Sequence, residues 1–217
     1  MTFLFFFLVF EQKEKLVVVH NRSGTPYNPK GSFYHYKCKH MSTTNWTIDP
    51  THSEIGFKVR HLMISNVKGH FGSFTSKVTI EEDDLQTAAI SFEADVHSIN
   101  TSNEQRDAHL KGADFFDADN HPTITFVSDK ISKTSDHHYQ VHGQLTVRGK
   151  TNPFTLEAVA SDLAKDPWGQ TKIAFELSGK INRTAFDLVW NAPLETGGVL
   201  VSEEVQLHAD VQYVKGA

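Results

Sequence analysis

The residues with the clearest chemical potential are Arg106, Asp107 and His109, which lie within one short stretch of the chain. Arg106 offers a planar guanidinium that can bind phosphate or carboxylate, and Asp107 and His109 could serve as an acid and a base. Residues three apart share a face of a helix, so Arg106 and His109 would point the same way, whereas Asp107 and His109 would not. The sequence contains no Gly-x-Ser-x-Gly nucleophile elbow. We therefore predict that Arg106 and His109 bind the polar head of a ligand and that no residue is catalytic.

Two alternatives remain open for this stretch. Asp107 and His109 could form the acid–base pair of a small hydrolase or isomerase, or Arg106 could pair with a nearby acid and fix the helix in place. Two phenylalanines, Phe115 and Phe116, follow directly. We expect them to line the mouth of an apolar pocket, or to plug it, beside the polar pair.

The elements that must position these residues are β-strands. From Trp46 onward, apolar residues recur at every second position, which is typical of strands with one buried face. Segments of this kind begin near Ile55, Phe74, Ile90, Tyr139, Phe154, Ile173 and Val205. They predict an all-β fold of about eight antiparallel strands, closed into an up-and-down β-barrel that leaves no exposed edge. A two-sheet sandwich is the competing architecture.

A single short helix is predicted from about Thr101 to Lys111. Thr101 and Glu104 have the spacing of a capping box, and Gly112 is placed to end the helix. In a barrel such a helix would lie at one end, and it would carry Arg106 and His109 there.

Small residues lie near the centres of the predicted apolar faces, at Ala94, Gly143, Ala158, Gly179 and Ala209. A filled core normally has larger side chains at such positions, so this band indicates an internal space for a long ligand. The alternative is that aromatic rings fill the space from across the core. Those aromatics, which we also predict as ligand contacts, are Phe57, Phe92, Phe126 and Phe175.

Two further residues are candidates for the ligand site. His61 continues the inward-facing series of its strand, where it could contact a ligand headgroup or, as a core histidine, bond to the backbone. Trp190 lies before the Gly197-Gly198 loop and is expected at the rim. The chain has 13 histidines, but no His-x-His or His-Glu-x-x-His pattern joins them on the inward faces. We predict neither a metal nor a cofactor.

The first 40 residues differ from the rest of the chain in net charge and in sequence pattern. The chain has 21 basic and 26 acidic side chains, and residues 1–40 hold six of the basic and two of the acidic ones. Residues 41–217 therefore hold 15 basic and 24 acidic side chains, a net charge of −9. Such a surface repels nucleic acid and anionic lipid, and no apolar run approaches the ~20 residues of a membrane span. Residues 1–40 are aperiodic, and we interpret them as a mis-assigned start or an atypical signal. The domain would then be 41–217, cytoplasmic if Met41 is the true start and otherwise periplasmic.

Several motifs, in order, resemble the YceI-like lipid-binding family. They are Trp46–Ser65, Val67–Phe74, Ser98–Asn103, Arg106–Leu110, Asp114–Asp117, Pro122–Phe126, Gly143–Gly149 and Ile181–Arg183. The resemblance spans about Trp46 to Tyr213, and it departs at Thr184-Ala-Phe-Asp187, where the family commonly has an acidic residue followed by Phe-Gly. It implies a lipocalin-like barrel that binds, stores or transports a polyisoprenoid or fatty-acid-like amphiphile, often as a homodimer. An empty barrel that acts as an interaction module is the other class that the sequence leaves open.

Overall fold

The computed structural model describes residues 42–193 and 199–216. Predictions for residues 1–40 and for the Gly197-Gly198 loop therefore lie outside the described residues. The strands are β1 (Thr43–Ile48), β2 (Glu54–His61), β3 (Ser65–Phe71), β4 (Phe74–Glu81), β5 (Ala89–Asp95), β6 (Ile99–Asn100), β7 (Thr123–Ser135), β8 (His138–Val147), β9 (Lys150–Ala160), β10 (Ala164–Lys165), β11 (Thr171–Asn182) and β12 (Val201–Lys215). The α-helix, α1, spans Glu104–Lys111.

The strands form a closed antiparallel barrel whose neighbours in space are neighbours in sequence. β12 pairs along one edge with β11, and along its other edge with β2 and then β1. β1 and β2 are thus two parts of one barrel strand. β4 and β3 pair with β1 and β2 in turn, and β5 and β6 pair with β4 and β3, so β3 with β4 and β5 with β6 are also single barrel strands. Counted in this way the barrel has eight strands, and the two-residue β10 adds only to the edge of β11. The predicted up-and-down barrel is confirmed.

The alternation in the sequence divides each strand into an inner and an outer face. In β8, Val141, Leu145 and Val147 are buried, while the polar residues between them reach the outer surface. There Gln140 bonds to Glu157 on β9 at 3.0 Å. The outer faces are thus linked by polar pairs between neighbouring strands, and the apolar residues collect inside the barrel.

The helix begins two residues later than its capping-box spacing predicts. Asn103 is the N-cap residue, and its side-chain oxygen accepts from the Arg106 amide at 2.9 Å. Gly112 ends the helix as predicted, with its amide donating to the carbonyl of His109. The capping box of Thr101 and Glu104 is therefore wrong. Thr101 is left free to take a different role before the helix.

Asp49 lies between β1 and β2 and links this part of the chain to β12. Its carboxylate accepts from the Thr51 hydroxyl at 2.7 Å, from the His52 ring at 2.9 Å and from the side-chain amide of Gln212 on β12 at 3.1 Å. The Thr51 hydroxyl lowers the pKa of Asp49 most; burial opposes this and His52 reinforces it, so that the pKa is about 2 instead of 3.8.

This shift predicts a dependence of stability on pH. The folded state holds the Asp49 carboxylate deprotonated to lower pH than the unfolded chain does, so its stabilising effect is complete above pH 3.8 and is lost as the pH falls towards about 2. Asp49→Asn is expected to flatten the fall of the unfolding free energy across this window. Urea titrations of both proteins at several pH values would measure it, and equal slopes would contradict it.

Candidate functional site

The inside of the barrel holds an apolar cavity of about 260 Å³. Its lining extends from Leu85 and Tyr213 at one end of the barrel to Leu110 and Leu188 at the other end, beside α1. Among the described residues that line it, Arg183 is the only Lys, Arg, Asp or Glu side chain. A space of this shape and composition suits a long apolar chain.

Six of the ten predicted ligand contacts lie in the cavity lining: Phe57, Phe92, Phe115, Phe116, Phe126 and Phe175. The other four, His61, Arg106, His109 and Trp190, do not line it. His61 ends β2 opposite Val201 and is partly exposed. The phenylalanines are therefore placed to contact a ligand, whereas the four polar or amphipathic residues are placed around one end of the barrel.

The band of small residues has two separate explanations. Ala94, Ala158 and Ala209 line the cavity and leave it open. At Gly143, by contrast, a Cβ atom would lie 2.6 Å from the Phe126 ring, and at Gly179 it would lie 2.5 Å from the Phe154 ring. The glycines thus make room for aromatic rings of the wall, and only the alanines make room for a ligand.

Thr101 holds the Arg106 side chain outside the cavity. The Arg106 Nε donates to the Thr101 hydroxyl and its Nη2 donates to the Thr101 carbonyl, both at 2.7 Å. Thr101 is buried, and its amide and hydroxyl donate to Asp107 at 2.9 and 2.5 Å. This compact group fixes the start of α1 on the barrel, which favours the structural role for Arg106.

His109 belongs to an aromatic cluster that covers the same end of the barrel. Its ring meets those of Phe115 and Trp190 edge-on, with centroids 5.0 and 4.9 Å apart, and Phe115 and Trp190 lie 5.2 Å from each other. The His109 Nε2 lies 3.4 Å from Asp114. Since Asp107 bonds to Thr101 and His109 to this cluster, the two do not meet as an acid–base pair.

Arg183 is the central residue of that end, and it was absent from the predicted site. It is 3% exposed, and its guanidinium donates to the carbonyls of Leu188, Trp190 (2.9 Å), Ser202 (2.9 Å) and Val201 (3.4 Å). The last two carbonyls belong to an irregular part of β12, where the pairing with β2 shifts between Val201 and Val205. Such a bulge turns carbonyls out of the sheet ladder, towards Arg183.

The charge of Arg183 lacks a close partner within the described part of the chain. No carboxylate there lies within 4.0 Å of it, although Glu203 is near enough to oppose the lowering of the Arg183 pKa by burial. The only signal in the sequence is the Ile181-Asn-Arg183 motif, because the bonding carbonyls lie up to 19 residues away. A buried cation facing an apolar cavity favours an anionic group in that cavity.

The opposite end of the cavity carries a neutral polar pair. The Ser76 hydroxyl donates to the Ser91 carbonyl at 3.0 Å, so the Tyr213 hydroxyl, 2.7 Å from Ser76, donates to it in turn. Burial raises the pKa of Tyr213, and Ser76 opposes that rise. Ser76 therefore has no base beside it to activate it as a nucleophile.

Two other kinds of site are missing from the described chain. Within residues 42–193 and 199–216, no three His, Cys, Asp or Glu side chains come together as a set that could hold a metal ion. The same ranges contain no helix with the length and apolar character needed to cross a membrane.

The fold and cavity define the class of protein: a small antiparallel β-barrel with an enclosed apolar interior closed at one end by a helix and aromatic rings. The chain belongs to the YceI-like family, because residues 46–213 match the model of the YceI-like domain. A UPF0312 protein of Staphylococcus aureus (strain USA300) is 36% identical over 171 residues, 78% of this chain and 97% of that protein. A UPF0312 protein of Staphylococcus epidermidis shows the same identity and coverage.

Solved structures confirm the architecture. The YceI protein of Campylobacter jejuni has a TM-score of 0.64 and 30% identity, and the match covers 72% of this chain and 90% of that one. Burkholderia cenocepacia BcnA has a TM-score of 0.67 at 23% identity, over 76% and 98% of the two chains. A domain from Saccharophagus degradans described as polyisoprenoid-binding reaches 0.58 at 12% identity, over 79% and 98%. The last two, because of their low identity, show the fold alone.

Proposed function

We propose that this protein binds a long-chain amphiphile of the isoprenoid or fatty-acid-like class, with the chain inside the barrel. The observation that carries the proposal is the cavity itself, which reaches from one end of the barrel to the other and is lined almost entirely by carbon. The Saccharophagus domain, described as polyisoprenoid-binding, has the same fold, so a barrel of this kind can hold a ligand of that class.

The polar end of the ligand lies towards α1 in this proposal. Arg183 is at that end, its charge has no carboxylate within 4.0 Å among the described residues, and four backbone carbonyls occupy most of its donors. Its charge can therefore attract an anionic headgroup over a short distance, although few of its donors remain for new hydrogen bonds to that headgroup. At the other end the Ser76–Tyr213 pair is neutral and internally bonded, so it offers less to an anionic head.

Native mass spectrometry of the purified full chain, followed by organic extraction, tests the proposal. A co-purifying long-chain lipid, released on denaturation, is the expected result. If the protein remains empty and also fails to bind hexadecanoate, hexadecanol and a polyprenyl chain in titrations, the alternative of an interaction module without a ligand is correct.

The position of Arg106 leads to a separate prediction. Arg106→Ala is expected to lower the unfolding free energy by about 1–3 kcal/mol, because it leaves buried Thr101 without its charged donor. It should lower the affinities for hexadecanoate and for hexadecanol by the same factor, since the guanidinium does not line the cavity. Isothermal titration with both ligands, beside thermal melts, would measure this.

Lys111→Ala is the matched control, since it removes a cation from the same helix. Arg106→Ala could instead lower the affinity for hexadecanoate about tenfold more than the affinity for hexadecanol. If Lys111→Ala does not do the same, Arg106 binds the headgroup.

A further inference from the structure

The turn between β2 and β3 has a sequence that its backbone does not favour. Leu62 and Met63 both have positive φ, 51° and 61°, and the Ile64 amide donates to the His61 carbonyl at 3.2 Å. Two successive positive φ values across this hydrogen bond are the pattern of a type I′ turn, which Asn-Gly fills most easily and bulky side chains fill poorly. A residue choice that opposes the local backbone is a reason to look for a function at that place.

The same turn exposes three consecutive apolar side chains, Leu62, Met63 and Ile64, which we call the hairpin tip. Their exposed fractions are 37%, 55% and 77%. Turns normally carry small or polar residues, and an exposed run of large apolar ones marks a surface for association.

The two strands behind the hairpin tip are basic in an otherwise acidic domain. Their outer faces carry Lys58, Arg60 and Lys68, with Glu54 at the far end as their only carboxylate. Lys58 and Lys68 lie directly opposite each other, which is unfavourable for two like charges.

These three cations have no ion-pair partner among residues 42–193 and 199–216. Glu204, on the adjacent strand β12, pairs with Lys180 at 3.1 Å instead. The net charge of −9 for residues 41–217 predicts repulsion from anionic lipid for the domain as a whole, and this hairpin is the local exception.

We propose that the β2–β3 hairpin docks on an anionic membrane surface, with the hairpin tip in the acyl boundary and the cations at the phosphates. Arg60 is held at the tip by its Nε bond to the Met63 carbonyl, at 3.1 Å. Lys58 and Lys68 each lie four residues from the nearer tip residue, about 13 Å along a strand. Apolar groups that bind at the interface enter it by roughly 5–10 Å, so Arg60 and the long lysine side chains reach the headgroup layer.

Docking in this way would bring the proposed ligand cavity to the membrane. His61 pairs with Val201, the Leu62 amide donates to the Leu200 carbonyl at 2.8 Å, and both Val59 and Val201 line the cavity. The hairpin tip thus lies at the cavity end that holds Arg183 and α1. Transfer of a lipid between bilayer and barrel rests on the proposed function, whereas docking itself does not.

The test uses the full chain and flotation with vesicles of phosphatidylcholine, with or without phosphatidylglycerol. Leu62→Asn combined with Met63→Gly supplies the residues that the turn prefers, so it removes two of the three apolar side chains of the hairpin tip without weakening the hairpin. We expect it to lower partition into the mixed vesicles by at least about tenfold, with no fall in melting temperature. Lys58→Gln combined with Lys68→Gln should remove about tenfold of the preference for phosphatidylglycerol. Leu163→Asn, at a leucine that is 58% exposed, is the matched control and should bind as the unaltered chain does.

A second readout reports on the tip itself. Ile64→Trp should add fluorescence that brominated lipids quench, beyond any quenching of Trp168, which is 84% exposed in the unaltered chain. Equal flotation of all variants, an unquenched Trp at 64, or a tip variant that alters only the oligomeric state would each overturn the proposal. The tip variants should still bind hexadecanoate in solution. Failure of every protein to bind that ligand would instead refute the proposed function and leave the docking result standing.

Discussion

Replacing Arg183 with methionine should lower the free energy of unfolding by roughly 3–5 kcal/mol and abolish ligand binding. The guanidinium joins the carbonyls of Leu188 and Trp190 to those of Val201 and Ser202, two segments that meet at the α1 end of the cavity. Methionine fills much of the volume but donates no hydrogen bond, so buried carbonyls lose their partners. Urea unfolding and titration with hexadecanoate measure the two effects.

Two further variants separate the network from the charge. Arg148→Met also removes a guanidinium that donates to two carbonyls, those of Asp187 and Ala113, but at an exposed site, and about 1 kcal/mol is expected. Arg183→Lys keeps the charge but cannot reach four carbonyls, so it should restore little stability. Equal effects of Arg183→Met and Arg148→Met on stability would show that the buried network does not hold this end of the barrel.

The barrel could be predicted because each strand carries its own signal. Alternation of apolar and polar residues depends only on the two faces of a strand, and it located seven of the long strands. The breaks inside three of the eight barrel strands could not be found in that way. Short turns at Pro50–His52 and Val96–Ser98, and the Gly72–Ser73 step, bend a strand without disturbing the pattern on either side.

The polar part of the site was harder to predict than its apolar part. Inward aromatic residues follow from strand period alone, so six phenylalanines were placed in the cavity lining, although their contact with a ligand stays a prediction. Arg106 was assigned by helix face, which does not reveal that Thr101 lies within reach of its guanidinium. The hydrogen bonds of Arg183 depend on a bulge in β12 about 20 residues later, and the sequence around Arg183 does not reveal that bulge.

A leucine at position 158 should exclude the ligand while leaving the fold almost unchanged. Ala158 lines the cavity opposite Tyr139 and Leu177, so added methyl groups enter open space. We expect hexadecanoate affinity to fall at least about tenfold, with a change in unfolding free energy below about 1 kcal/mol. Titration beside urea unfolding measures both quantities.

Gly143→Leu is the matched contrast, because it adds the same side chain to the inner face of the adjacent strand. Its Cβ would meet the Phe126 ring at 2.6 Å and would also contact the Val127 carbonyl oxygen, which belongs to the backbone and cannot turn aside. Overpacking of this kind costs about 1–3 kcal/mol, so Gly143→Leu should lose stability where Ala158→Leu loses only ligand. If both variants lose the same stability and neither loses affinity, the interior is filled by side chains and the ligand binds elsewhere.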